Sequence, residues 1–155
     1  MLDVTSSVGR LMSAWTARSK RSQTRPANVL VVDDDTAVRT YVSRVLQDAG
    51  YATTAVGSGA EALEAASRIE KLDLLVTDVT MPNMNGSELA RRLRQLEPWV
   101  KVLYLTGYCD QLFKDKVGLW ADEAYLDKPC TVRAIREAVS LIMTGSLKQT
   151  AQLPS

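Results

Sequence analysis

The sequence predicts an α/β fold, a doubly wound five-stranded parallel sheet with helices on both faces. Three observations predict it. Short, continuous apolar runs recur at Val29 to Val32, Leu74 to Val76 and Val102 to Leu105, as strands buried on both faces require. Segments with helical apolar spacing lie between such runs. Acidic or hydroxyl residues stand just beyond them, at Asp33-Asp34-Asp35, Asp78 and Thr106. Open α/β sheets place their sites at those carboxyl ends.

Each element follows in order. Val29-Leu30-Val31-Val32 is the first strand. Ala37 to Ala49 is a helix with its stripe at Val38, Val42, Val45, Leu46 and Ala49, and Gly50 stops it. Tyr51 to Val56 is a short second strand. Ser58-Gly59-Ala60-Glu61 has capping-box spacing and opens a helix to about Ile69. Leu74-Leu75-Val76-Thr77 is the third strand, with Asp78 at its end. Val79 to Gly86 is a loop, broken by Pro82, Asn83, Asn85 and Gly86. A helix from about Ser87 to Leu96 stops before Pro98, and Arg91, Arg92 and Arg94 read as its solvated face. Val102 to Leu105 is the fourth strand, closed by Thr106-Gly107. A weaker helix is expected over about Asp110 to Val117. Ala124-Tyr125-Leu126 is the fifth strand. Thr131 caps a last helix with its stripe at Val132, Ile135, Val139 and Ile142. Right-handed crossovers leave few ways to connect these strands.

Residues 1–26 form a basic N-terminal arm, expected to be flexible. Its Val4, Val8, Leu11, Met12 and Trp15 share one helical face, so a short amphipathic helix is open to it, weakened by Gly9. Residues 27–143 are the folded domain, and 144–155 are a polar, flexible C-terminal tail. The arm holds Arg10, Arg18, Lys20, Arg21 and Arg25 against Asp3, a net of +4; the remaining 14 basic and 17 acidic residues give −3. The chain reads as a basic arm on a mildly acidic body.

Composition excludes several chemistries. The 155 residues include no histidine. That removes histidine-based nucleophile pairs, imidazole general bases and histidine metal ligands from this chain. The two cysteines, Cys109 and Cys130, lack zinc-like spacing and read as free thiols. The longest apolar runs have four residues, far short of the roughly 20 of a membrane span. A cytoplasmic protein is expected. Nucleic-acid binding is not expected, since there is no helix-turn-helix pattern; contact of Trp15 and its basic neighbours with an anionic membrane is the minor reading of the arm.

The chemistry is carried by the strand ends. Asp34, Asp78, Thr106 and Lys128 are separated by 44, 28 and 22 positions, and each interval accommodates one or two crossovers. In the predicted fold these groups converge on one rim. Crowded carboxylates repel unless a hard cation joins them, and Mg²⁺ takes oxygen ligands. A neighbouring carboxylate can act as a nucleophile toward phosphorus. Mg²⁺, Lys128 and Thr106 could then neutralise the equatorial oxygens of a phosphoryl group.

Four pieces in this order carry a resemblance: Val31-Val32-Asp33-Asp34-Asp35, Val76-Thr77-Asp78-Val79-Thr80-Met81-Pro82, Leu105-Thr106-Gly107 and Leu126-Asp127-Lys128-Pro129. From about Asn28 to Met143 the chain resembles a receiver domain of two-component response regulators. The Leu105-Thr106-Gly107-Tyr108 stretch is also similar to receivers attached to hybrid histidine kinases. The resemblance implies a flavodoxin-like strand order 2-1-3-4-5. It implies Asp78 as phosphoacceptor and a Mg²⁺ ion held by Asp33, Asp34, Asp78 and the Thr80 backbone carbonyl. Asp35 falls outside the acidic pair and takes a helix-start role. Lys128 would pair with the phosphoryl oxygens, with a cis bond to Pro129. Thr106 and Tyr125 would be the switch pair. Departures from the family pattern are Tyr108, Cys130 and the absence of glycine from Leu119 to Glu123.

The implied function is a single-domain response regulator, a phosphoacceptor signalling protein and not an enzyme acting on other substrates. Its phosphodonor would be a histidine kinase or histidine phosphotransfer protein. A downstream protein would bind the surface of the fourth helix, fifth strand and fifth helix. The protein would be a monomer or a weak, phosphorylation-dependent dimer. Two other readings stay open. One is a receiver-like interaction module that works without phosphorylation. The other is an aspartate-nucleophile phosphatase similar to the haloacid dehalogenase family, whose D-x-D motif Asp33 and Asp35 superficially allow. That reading is weakened by Ala37, where the pattern wants a hydroxyl, and by the lack of a cap domain.

Overall fold

The computed structural model describes residues 25–107 and 122–144. Five short strands, rich in Val and Leu, pair in parallel: β1 (Asn28–Val32), β2 (Ala52–Val56), β3 (Leu74–Asp78), β4 (Lys101–Thr106) and β5 (Glu123–Asp127). Four helices are described: α1 (Thr36–Asp48), α2 (Gly59–Arg68), α3 (Gly86–Leu96) and α4 (Val132–Thr144). The strand order is β2-β1-β3-β4-β5, so the chain reverses direction across the sheet between β1 and β3. The expected helix over Asp110 to Val117 lies outside the described residues, as do most of the arm and the tail.

Alternation along each strand divides the core in two. Leu30, Val32, Leu75, Val102 and Tyr104 face Ala62 and Ala66 of α2 and Leu89, Ala90 and Leu93 of α3. Val29, Val31, Leu74, Val76, Leu103 and Leu105 face Val42, Val45 and Leu46 of α1 and Ile135, Val139 and Ile142 of α4. The central strands bury both faces, which explains their unbroken apolar runs. β2 is an edge strand and is largely exposed, which explains its Ala-Thr-Thr-Ala composition.

Local signals set the helix ends. Asp35 is the N-cap of α1, its carboxylate accepting from the amides of Ala37 and Val38. Gly50, at φ +97°, takes the left-handed turn after that helix. Ser58 caps α2 by accepting from the Glu61 amide. The Glu61 carboxylate accepts from Gly57 rather than from Ser58, at 3.0 Å, so the capping box closes one residue early. Asn85 caps α3, and the Thr131 hydroxyl accepts from Ala134 at the start of α4.

One helix face differs from expectation. Arg91 and Arg92 are exposed beside Glu88. Arg94 is instead turned inward, 2.7 Å from the fully buried Glu123 carboxylate. It lies four residues after the buried Ala90, on the flank of the apolar stripe. No helix among the described residues is long and apolar enough to cross a membrane.

Candidate functional site

The carboxyl ends of β1, β3, β4 and β5 bring their polar residues to one rim. Asp33 follows β1 directly and is 1% exposed. Asp34 is exposed next to it, and Asp78 ends β3 half-buried. One carboxylate oxygen from each of these three lies within 4.8 Å of the others. Lys128 follows β5. Its Nζ stands 2.9 Å from Asp33 Oδ2 and 3.4 Å from Asp78 Oδ1. Two of the three carboxylates, those of Asp33 and Asp78, thus share one ammonium group.

Backbone contacts fix these positions. The Lys128 amide donates to the Thr106 carbonyl at 2.8 Å, and the Val79 amide donates to Leu105. The Gly86 amide returns to the Val79 carbonyl at 2.8 Å. A Cβ on Gly86 would collide with the Asp78 carbonyl oxygen, so only glycine lets α3 begin this close to the acidic strand end. The Lys128-Pro129 bond is cis.

Electrostatics follow from burial and crowding. Burial pushes the Asp78 carboxyl above its usual range, and the Asp33 charge adds to this. Lys128 and a hydrogen bond from the Thr80 amide only partly offset them. For Lys128 burial is the largest influence and acts downward. The hydrogen bond to Asp33 and the charges of Asp78 and Asp33 together outweigh it, so its pKa is raised.

The remaining expected residues are placed as follows. Thr106 ends β4 and is 2% exposed, with Asp127 as its register partner. Tyr125 pairs in register with Tyr104 and is 40% exposed. Thr80 is an exposed loop residue two positions after Asp78. The Cys130 thiol is pushed up by burial and donates to the Asp127 carbonyl at 3.2 Å. Cys109 and Tyr108 lie outside the described residues.

Asp35 is turned away to cap α1. Asp35→Ala should therefore cost about 1 kcal/mol of stability and leave Mg²⁺ affinity within twofold. Chemical denaturation and a calorimetric titration would check the two halves; a large loss of metal affinity would make Asp35 part of the acidic site.

The donor set suits a hard divalent cation. All the clustered ligand groups are carboxylate oxygens, and among the described residues this is the one such acidic group of three. Receiver domains bind Mg²⁺ at an acidic pocket of this kind. Residues 29–140 match the family model of the response regulator receiver domain. The chain belongs to that family.

Relatives agree with this receiver assignment. The response regulator receiver protein CpdR of Brucella abortus is 34% identical over 118 residues, 76% of this chain and 98% of that protein. The sensor kinase CckA of the same organism is 36% identical over 114 residues, covering 73% of this chain but 12% of the kinase. Among solved structures, the chemotaxis protein CheY4 of Vibrio cholerae superposes with a TM-score of 0.66 at 31% identity. That match covers 76% of this receiver chain and 99% of CheY4.

Sequence reasoning missed two features. Arg39 of α1 donates to the Asp33 carbonyl at 2.8 Å, and nothing in its neighbours distinguishes it from a surface arginine. The half-buried Arg94 joins the buried Glu123 and Tyr104 in a polar cluster on α3, β5 and β4. A charged residue four positions from a stripe alanine is the signal that could have flagged Arg94.

Proposed function

We propose that this receiver domain accepts a phosphoryl group on Asp78 from a histidine kinase or histidine phosphotransfer protein, in the cytoplasm. The observation that carries this reading is Lys128 Nζ standing between Asp33 and Asp78 within an acidic triad. An Asp78 carboxylate oxygen attacks phosphorus, the P–O bond forms, and the donor's P–N bond breaks. The carboxylates of Asp33, Asp34 and Asp78, with the Thr80 carbonyl, would hold Mg²⁺. The bound ion would neutralise charge on the transferring phosphoryl oxygens. Lys128 balances the same charge from the β5 side. Thr106, at the end of β4, offers a hydroxyl to the new anion.

The product carries about 1.5 to 2 extra negative charges. That charge draws on Thr106 and Lys128, which end adjacent strands. Tyr125 lies two residues before Asp127 on β5, so movement there reshapes the surface of β5 and α4. A downstream protein would read that surface, and hydrolysis of the acyl phosphate would reset it.

The test uses the full chain with a small-molecule phosphodonor and MgCl₂. Intact mass should rise by one phosphoryl group, about 80 Da, and peptide mapping should place it on Asp78. Chelation of the metal should stop uptake. A chain that binds no Mg²⁺ and gains no mass would instead be a phosphorylation-independent interaction module. Turnover of phosphoesters would revive the phosphatase reading, which Asp35's capping role disfavours.

A further inference from the structure

One arginine beside the acidic rim has no part in the mechanism above. Arg39 sits one turn into α1. Its Nη1 donates to the Asp33 backbone carbonyl at 2.8 Å, and its Nη2 reaches the Thr36 hydroxyl at 3.3 Å. The guanidinium also lies against Gly57, in the turn after β2. A Cβ there would stand 2.8 Å from Nη1 and 3.7 Å from Cζ. The Gly57 amide is in turn held by Glu61, and the Asp33 amide donates to Val56 at 3.3 Å. The loops after β1 and β2 are thus knitted together around one guanidinium.

The bonded carbonyl belongs to the peptide between Asp33 and Asp34. That peptide's orientation sets where both carboxylates point. The Asp33 carboxylate is fixed a second time, by the Asp35 amide at 2.9 Å and by Lys128. Asp34 is exposed, and no hydrogen bond of its side chain appears among the described contacts. Its direction depends on its backbone.

We propose that Arg39 is a positioning residue for the divalent cation, holding the Asp33-Asp34 peptide so that Asp34 faces the ion, with Gly57 leaving room for the guanidinium. This rests on the Mg²⁺-dependent phosphoacceptor reading above. It also has a sign that simple electrostatics does not share. A positive charge near a cation site repels the cation, so removing Arg39 as a mere charge would strengthen Mg²⁺ binding. Removing it as a support for the ligands weakens binding, as loss of groups that orient metal ligands does.

The experiment titrates MgCl₂ into the metal-free full chain by calorimetry, with no phosphodonor present. Arg39→Ala should weaken Mg²⁺ affinity about tenfold. Arg39→Lys keeps the charge and one donor and should fall between Arg39→Ala and the parent. Gly57→Ala keeps the arginine but displaces its head, and should weaken binding several-fold while the net charge is unchanged. In metal-free protein, the Asp34 amide resonance should shift in all three variants, while their melting temperatures stay within a few degrees of the parent. Unchanged or tighter Mg²⁺ binding by Arg39→Ala, with the parent binding normally, overturns this role and leaves the phosphoacceptor reading intact. Failure of the parent chain itself to bind Mg²⁺ overturns both.

Discussion

Asp78→Asn should abolish phosphate uptake and, in metal-free buffer, raise the melting temperature. The first effect removes the attacking carboxylate oxygen. The second follows from the site's own repulsion. Burial and the Asp33 charge hold the Asp78 carboxyl above its usual range despite Lys128. A carboxyl with a raised folded pKa binds its proton more tightly in the native state than in the unfolded chain. Its penalty is absent below the unfolded pKa, grows as pH rises through the folded pKa, and is complete above it. At neutral pH the parent therefore carries the whole penalty and the asparagine carries none. Each kcal/mol relieved raises the midpoint by roughly 4 °C in a domain of this size. The gain should shrink below about pH 4, near the ordinary carboxyl pKa, and it should also shrink when Mg²⁺ stabilises the parent. Calorimetric melts at several pH values, with and without Mg²⁺, would read this. A variant that melts lower than the parent at pH 7 would show that Lys128 compensates the triad fully.

Glu123→Ala should be among the most damaging substitutions away from the rim. The Glu123 side chain is fully buried, and Arg94 is 12% exposed beside it. Its Oε2 accepts from Arg94 Nη1 at 2.7 Å and from the Tyr104 hydroxyl at 3.1 Å. Tyr104 is itself fully buried, and burial followed by the Glu123 charge raises its pKa far above the ordinary phenol value. Removing the carboxylate strips a buried guanidinium and a buried phenol of this acceptor at once. Breaking one side of such a pair costs about 3–5 kcal/mol, out of a typical total of about 5–15. Tyr104→Phe should cost only about 1 kcal/mol. Joint replacement of Arg94 and Glu123 by leucine should recover much of the loss, because it leaves no buried charge behind. Urea denaturation separates these cases. A Glu123→Ala loss under about 1 kcal/mol would mean that solvent reaches the cluster.

The alternation of strands and helices was legible because each element carries its own period. The unbroken runs at Val29 to Val32 and Val102 to Leu105 report burial on both faces, and those strands are central. The acidic rim was legible for a related reason. Asp33, Asp78 and Thr106 stand at the ends of such runs and Lys128 just past the fifth strand, so locating the strands located them too. Arg94 was not legible. Its partner Glu123 is 29 residues away, across a strand and beyond, and no local pattern joins them. Arg39 was hidden because its partner is a backbone carbonyl, which every residue possesses. Gly86 read simply as a loop breaker. Its close approach to the Asp78 carbonyl depends on how α3 docks, which a sequence does not display.

The amino-terminal edge of the sheet has its own use. Arg25 reaches Asp73 there at 3.2 Å, and Asp73 also accepts from the Asn28 amide at 2.8 Å. At the same edge Lys101 Nζ receives the end of α4, bonding the Ile142 and Met143 carbonyls at 2.8 and 3.3 Å. Both ends of the described body thus leave from the floor of the sheet, a strand length of roughly 17 Å from the acidic rim. A label fixed at Arg25 or Thr144 would therefore start on the side away from the acidic rim. On the phosphoacceptor reading proposed above, a linkage made at either of those positions leaves the acidic rim open to a donor.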